Sequence, residues 1–501
     1  MNRQRVSDLI TIDETRHWGK GHIITIKAGT GVGKSYYIKN ILYLVAKEKG
    51  KKILFLIHRT NCTTQFVKEI QKANKSDVIT IMTYQKIEAL KLLYKKDFDF
   101  SIFDYIVCDE FHYFMSDSSF SISCDISLNM ILAETNKTIV FMSATGDSMK
   151  KYINNIKKIE TIDYEIDITY DFIKELKFFN EDEAIETYIK ECITTGEKAI
   201  FFIQSATKAY ELYKKYKDHC LFNCGKSDQH YKYVDKDKID KMLEKERFEE
   251  LFLITTTCMD AGVNINDIEV KHIICDVKDV GTLVQCIGRK RQKNNDDKIY
   301  LYIKTILNEQ LGGMKSQLKL KKSKANFLRN HTVKEYIKEY PRQNDSNNIV
   351  YAEVVEEAEK GTFKVNELMY FKCTTDIAEM DIMIMLGKFG YCKYLANKFG
   401  FYDEENNSYN YDIEEESNTD LEVYLESIIG VSMPQVKDRK ELIERIDVKS
   451  NGRLLKKMNN LNGALEERKI SYRITEFKDS KMMDGIQKRY PNAWKVEKLV
   501  S

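Results

Sequence analysis

The 501 residues carry 79 Lys or Arg against 77 Asp or Glu, a formal charge of +2, and 43% of them are hydrophobic. That length points to about three domains at ~150 residues each, and the near-balance of charge excludes a globally basic protein, so any nucleic-acid surface must be local. No apolar run reaches the ~18 residues of a membrane span and no signal-peptide core is expected. Eleven cysteines, scattered singly through apolar runs (Cys108, Cys258, Cys275, Cys286), are the pattern of reduced thiols in a cytoplasmic protein.

Regular structure becomes clear at His22. In "HIITIKAGTGVGKSYYIKN" the run Ile23 to Ile26 predicts a buried strand, and Ile38, Ile41, Leu42, Val45 and Ala46 predict one face of a helix that Gly50 stops. Between them lie Ala28, Gly29, Thr30, Gly31, Val32, Gly33, Lys34 and Ser35. Strand, glycine-rich turn and helix start together are the setting of a phosphate-binding loop. The glycines let backbone N–H groups turn onto phosphate oxygens, and the helix N-terminus adds partial positive charge. Lys34 is expected to reach the β- and γ-phosphates of ATP, and the Ser35 hydroxyl to complete a Mg²⁺ shell. Ala28 stands where the usual pattern has glycine.

The strands "KILFLI", "VITIM", "FDYIVCDE" and "TIVFMSAT" follow, alternating with helical patterns to about Lys150. This alternation predicts a parallel sheet with helices on both faces. The third of these strands delivers Asp109 and Glu110 to its carboxyl end, where ligands bind in such sheets. One carboxylate there can hold Mg²⁺, and the next can orient and deprotonate an attacking water. Without a cation, a buried acidic pair is costly. The rhythm restarts with "KAIFFIQ" at 198, "ELFLITTT" at 250, "VKHIICD" at 270 and "KIYLYIK" at 298, a second α/β unit. "DHCLFNCGKS" reads as a strand, and its Cys220 and Cys224 lack a second paired-cysteine partner, which disfavours a metal site. Past about residue 311 comes a basic helical stretch with Lys315, Lys319 and Lys322 on one face. It reads as a solvated face, with a phosphate-tracking surface as the alternative. Residues 403–422 are acidic and read as a solvated linker or loop; from 437 onward 17 Lys or Arg oppose 10 Asp or Glu.

At the level of ordered motifs the chain resembles the superfamily 2 helicases of the DExH-box type. "AGTGVGKS" matches the phosphate loop and "DEFH" the DExH box. "FLIHRTNCTTQF" (55–66), with Arg59 and Gln65, and "TIMTYQKI" (80–87), with Thr83 and Tyr84, resemble motifs that touch the nucleic-acid backbone. "FMSATG" (141–146), with Ser143 and Thr145, resembles the motif coupling hydrolysis to strand movement. "TTTCMDAGVNI" (255–265), with Thr256, Gly262 and Asn264, resembles the motif bridging nucleotide and nucleic acid, and "VQCIGRKRQ" (284–292), with Gln285 and Arg289, the arginine-finger motif. The resemblance implies two RecA-like lobes with the nucleotide between them, closed by Arg289. It implies that His112 faces the lobe interface and couples nucleotide state to the Ser-Ala-Thr strand. The family's second arginine would fall at 292, where this chain has Gln292; either Arg291 serves through a locally altered helix, or Arg289 acts alone. Asn264, where many members have Asp, can still bond a ribose hydroxyl. A second Ser-Ala-Thr, at 205–207, reads as the N-cap of a helix.

The expected architecture is therefore α/β: a RecA-like lobe over 1–165, a second over 166–310, and a mainly helical accessory region over 311–501. The expected activity is that of an ATP- and Mg²⁺-dependent helicase or translocase. The alternative is an ATP-controlled nucleic-acid clamp without unwinding. DNA is favoured over RNA on the AT-rich-type composition and the arginine arrangement, and no membrane partner is expected. Deletion after about residue 310 is expected to leave basal hydrolysis intact and to lose substrate affinity.

Overall fold

The structure, a computed structural model, describes all residues except 1–3, 30, 59, 117–122, 260–262, 342–348, 356–359, 415, 451–452, 469, 484–485 and 500–501. The first sheet holds β1 (Ile23–Lys27), β2 (Ile53–Ile57), β3 (Ile79–Thr83), β4 (Tyr105–Asp109), β5 (Thr138–Ser143) and β6 (Ile162–Glu165). All pair in parallel, in the order β3-β2-β4-β5-β1-β6. Successive strand residues go to opposite faces. Ile24, Ile26, Val107, Val140 and Met142 join one core, and Ile23, Ile106, Cys108, Ile139 and Phe141 join the other. Covering both faces is what makes these strands near-continuous apolar runs.

The covering elements that matter for the site are few. Helix α1 (Val6–Leu9) buries Val6 in the first of these cores. The helical run α2 covers 34–48 and passes through a π-helical stretch at Ile38–Leu42. Helix α3 (Tyr84–Tyr94) follows β3, α4 (Tyr113–Ser116) follows β4, and α5 (Cys124–Leu132) packs against both.

The second sheet contains β7 (Ile173–Phe179), β8 (Lys198–Ile203), β9 (Cys220–Asn223), β10 (Phe252–Thr255), β11 (Val270–Asp276) and β12 (Ile299–Lys304). They run in the order β7-β12-β11-β8-β10-β9, with β8 to β12 parallel. Helix α6 (Ala206–Lys215) starts where the second Ser-Ala-Thr stands, and the Ser205 side chain accepts from Lys208 N as its N-cap. Helix α7 (Val280–Ile287) follows β11 and is capped by Asp279. Two helix-flanked parallel sheets in tandem are the expected RecA-like arrangement. Among the described residues, no group of three His, Cys, Asp or Glu is placed to hold a metal, and no helix is long and apolar enough to cross a membrane.

The C-terminal boundary at 310 needs correction. Helix α8 (Asn308–Asn330), α9 (Val333–Glu339), the antiparallel pair β13 (Val350–Val355) and β14 (Lys360–Val365), α10 (Glu367–Met385) and α11 (Gly390–Lys398) belong to the same compact unit as both sheets. Leu368 of α10 is fully buried in the core of the first sheet, with Phe371 edge-on to Tyr152 at 5.4 Å between ring centres. Cys392 of α11 is fully buried, its Sγ 3.0 Å from Thr305 Oγ1 just after β12. That unit comprises 1–178 and 185–412; a second unit comprises 179–184 and 413–501.

The second unit has its own core. Helices α12 (Glu416–Ser427), α13 (Lys440–Ile446) and α14 (Met458–Glu467) meet a long antiparallel hairpin, β15 (Tyr472–Met483) and β16 (Ile486–Lys498). Leu425, Leu442, Leu461, Ile474, Trp494 and Val496 are buried there. The Arg439 guanidinium lies 4.3 Å above the Trp494 ring. The acidic stretch over 403–422, read from sequence as a linker or loop, instead contains a tight pairing of Tyr402–Asp403 with Ser408–Tyr409 and the start of α12. Leu421 is what draws that part of the chain into a core.

Candidate active site

At the carboxyl end of β1 the chain makes the tight turn that its glycines allow. Gly31 and Gly33 sit at φ +84° and +93°, the left-handed region open to glycine, and Lys34 starts α2 directly after them. Ala28, the substituted first position, is buried, and its N–H donates to Ser143 O at the end of β5. The Lys34 ammonium donates to Ala28 O at 2.8 Å and Gly29 O at 3.1 Å. Burial draws its pKa down, while Glu110 and then Asp109 oppose that shift. Val6 N of α1 donates to Val32 O, so the N-terminal segment braces this loop. Ser35 is half-buried in the first turn of α2; Thr30 lies outside the described residues.

Asp109 ends β4, and Glu110 follows with φ +48°, an uncommon backbone conformation for a side-chain-bearing residue. Glu110 Oε2 is buried and lies 3.3 Å from His112 Nδ1, but accepts no hydrogen bond. The imidazole Nδ1 is instead directed to Ser143 Oγ at 2.7 Å. Burial, then the Glu110 charge, pushes Asp109 up to about 7. Burial also acts to raise Glu110, but the Lys34 charge, His112 and Arg289 outweigh it and hold that carboxylate well below its usual range. The Phe111 ring packs on Gly146 so closely that a Cβ there would lie 2.3 Å from it. The acidic box and the Ser-Ala-Thr strand are thus in direct contact.

The Ser-Ala-Thr segment is bonded to the second sheet's α7. Ser143 Oγ accepts from Thr145 N at 3.0 Å, and Thr145 Oγ1 accepts from Gln285 Nε2 of α7 at 3.1 Å. Gln285 Oε1 accepts in turn from Arg289 Nη2 at 2.8 Å. Arg289 is almost fully buried, and its guanidinium also donates to Gln285 O and Val263 O. The Arg291 side chain lies against Gly31: a Cβ there would stand 3.7 Å from its Nη1. Burial, then Arg289, lowers Arg291 to about 9. The groups brought together are therefore Lys34, Asp109, Glu110, His112, Ser143, Thr145, Gln285, Arg289 and Arg291.

Other expected residues are placed differently. Asn264 does not face an open ribose pocket: its Oδ1 accepts from Arg291 Nε and Nη2 at 2.9 and 2.5 Å, and its Nδ2 donates to Glu246 Oε1 at 3.2 Å. Glu246 was invisible to motif reasoning, being one acid among many in a charged stretch. Tyr84, expected against a nucleic-acid backbone, needs correction. It is fully buried, stacks on Tyr113 at 5.1 Å, and donates its hydroxyl to Asp109 O at 2.9 Å. It therefore holds the end of β4 from inside. Thr83 caps α3 by accepting from Lys86 N, and Thr256 Oγ1 accepts from Cys258 N. Arg59, Gly262 and the Gln65 side chain lie outside the described residues. Of the basic face on α8, Lys315 pairs with Asp381 of α10 at 2.7 Å and Lys322 lies 5.0 Å over Tyr370, while Lys319 is exposed. Two of those three lysines thus have partners within the chain.

Residues 4–148, which span the first sheet up to β5, match the family described as the type III restriction enzyme, res subunit. No curated protein matches the chain. Among solved structures, Dbp5 of S. cerevisiae bound to RNA and ADP BeF3 is 17% identical, with 57% of this chain and 79% of that one covered and a TM-score of 0.42. The DEAD-box helicase Mss116 bound to ssRNA and UDP-BeF is 15% identical, covering 80% and 84%, at a TM-score of 0.44. A DEAD box protein from Methanococcus jannaschii is 17% identical, covering 59% and 85%, at 0.33.

Proposed function

We propose that this chain hydrolyses ATP in the cleft between its two sheets and uses the turnover to move along or remodel a nucleic acid, in the manner of a superfamily 2 helicase of the DExH type. The observation that carries the reading is convergence. A glycine-turn lysine, an adjacent acid pair and two arginines from the other sheet meet around one cleft, and Gln285–Thr145 bridges it. The match of residues 4–148 to a restriction-enzyme subunit family supports it.

The residues fit a magnesium nucleotide: the turn at Gly31 and Gly33 presents backbone N–H groups, and Glu110 keeps a buried carboxylate oxygen that accepts no bond. Mg²⁺, which Ser35 and Asp109 would hold, supplies charge neutralisation on the phosphates. Lys34 exchanges its two loop carbonyls for phosphate oxygens. Glu110, kept ionised by its neighbours, orients the attacking water and takes its proton. Arg289 and Arg291 offset charge developing on the γ-phosphate. His112, bonded to Ser143, carries the state of the acid box to Thr145 and so to Gln285 on the far sheet. Opening the cleft breaks that bridge, which ties turnover to motion of one sheet against the other.

DNA is the favoured track, on the restriction-enzyme family match and the composition. The test is phosphate release from ATP at low salt with no polymer, single-stranded DNA, duplex DNA or RNA, with Lys34→Ala as the blank. Stimulation by DNA is expected. Stimulation by RNA alone overturns the track, and turnover indifferent to every polymer favours an ATP-controlled clamp or switch instead.

A further inference from the structure

Glu88 of α3 is a buried carboxylate for which the proposed hydrolysis has no use. Ser127 Oγ of α5 donates to its Oε1 at 2.6 Å, and Ser123 Oγ donates to its Oε2 at 3.3 Å. The Tyr113 hydroxyl donates to Oε1 at 3.3 Å. All three partners are hydroxyls. Burial raises the pKa of Glu88, and the Ser127, Ser123 and Tyr113 hydroxyls oppose that shift. Burying a carboxylate that is bonded but not paired with a cation is costly, so its presence calls for a reason. The direction of the Tyr113 hydroxyl supplies one. Gln85 Nε2 donates to that oxygen at 3.3 Å, which leaves the tyrosine's own proton for Glu88.

The Tyr113 ring is held as firmly as its hydroxyl. His58, directly after β2, places its ring 4.1 Å from that of Tyr113, and Tyr84, directly after β3, stacks on it at 5.1 Å. Strands β3, β2 and β4 are neighbours in that order, so three adjacent strand ends each contribute one ring. The two tyrosines also hold the backbone around Glu110. Tyr84 donates its hydroxyl to Asp109 O at 2.9 Å, and Tyr113 N donates to Glu110 O at 2.8 Å. Phe111 N donates to Met142 O at 3.1 Å. The peptide groups on both sides of Glu110 are thus tied, and its φ of +48° lies between them. Such a conformation persists where its surroundings over-determine it.

Resting on the reading that the cleft hydrolyses ATP with Glu110 as the base, we infer that Glu88 and Tyr113 are positioning residues for that base. The Glu88 carboxylate orients the Tyr113 hydroxyl, and the anchored tyrosine fixes the Glu110 carbonyl. The resulting turn holds Glu110 Oε2 where it stands, buried and without a hydrogen bond. Glu88 and Tyr113 act on turnover through Glu110 alone.

The experiment is a double-mutant cycle in the full chain: wild type, Y113F, E110Q and Y113F/E110Q, with E88Q beside them. ADP binding is measured on each, and kcat is counted per site that binds ADP. A wild type without turnover defeats the ATPase reading, and the inference falls with it. With an active wild type, Y113F removes one oxygen and keeps the ring contacts. It should bind ADP within about twofold of wild type and lose roughly 10²-fold in kcat, the cost of misplacing a reacting group by about 1 Å. On the E110Q background the same change should alter the residual turnover by less than about threefold, because the group that it positions is gone. Losses that multiply in the double mutant overturn the inference, as does a Y113F protein with full kcat. Fewer binding sites with unchanged kcat per site would make the role merely structural and overturn it too. E88Q keeps a carbonyl acceptor but loses the charge that roughly doubles the strength of such a bond. Its kcat should fall between those of wild type and Y113F, with ADP binding unchanged; wild-type turnover in E88Q overturns the role of Glu88. Should Y113F fail to bind ADP, E88Q takes its place in the cycle, and the same criterion of non-additivity with E110Q decides.

Discussion

In the proposed hydrolysis, Glu110 is the residue on which the chemistry turns. Its Oε2 is buried without a hydrogen bond and its backbone is held at φ +48°, two features that have a cost unless the side chain is needed where it stands. Glu110→Gln should therefore keep ATP binding and lose about 10²–10⁴-fold in turnover, the usual worth of a positioned base. Equilibrium nucleotide binding and phosphate release on the same preparation check this, and turnover within tenfold of wild type would place proton abstraction elsewhere. The positions of Lys34, Asp109, Glu110 and His112 were legible in the sequence because each is set by a local pattern: glycine turn, strand end, helix start. Tyr84 was misread because burial is not local. The same tyrosine could have stood on a surface had Tyr113 and the Asp109 carbonyl not been brought to it.

At the scale of elements, both parallel sheets were legible as runs of apolar residues separated by helical periods, and the cap at Ser205 followed from its position between strand and helix. The parallel bridge of Lys290 with Ile265, just beyond α7, was not legible. It depends on Ile265, which comes from another loop, and on Asp297, which holds the Lys290 ammonium at 2.7 Å and which no motif marks. That pair, almost completely buried, makes a stability prediction. Lys290→Met leaves the Asp297 carboxylate buried without its cation, which should cost about 3–5 kcal/mol, whereas Lys290→Met with Asp297→Leu should recover most of it. Denaturant melts of the three proteins measure this. A single mutant as stable as wild type would mean that the pair does not anchor the segment.

At the scale of the whole molecule, the compact unit ends at Asp412 and not near 310. A chain cut after residue 310 loses Leu368 from the core beneath β4 and β5 and Cys392 from beside Thr305. Losing one such buried aliphatic side chain costs about 2–5 kcal/mol, and the cut removes several, so 1–310 should fail to melt cooperatively. A chain ending at 412 should keep a cooperative transition and basal hydrolysis. Calorimetry and phosphate release on both truncations decide it, and a well-folded, active 1–310 would refute the packing argument. The placement of Leu368 also bears on synthesis. The first sheet leaves the ribosome long before the helix that completes its core, so the nascent chain carries an unfilled apolar seat while the whole second sheet is being translated. Growing chains of this protein should depend on a holding chaperone during that interval, and slowing translation should lengthen their exposure to aggregation.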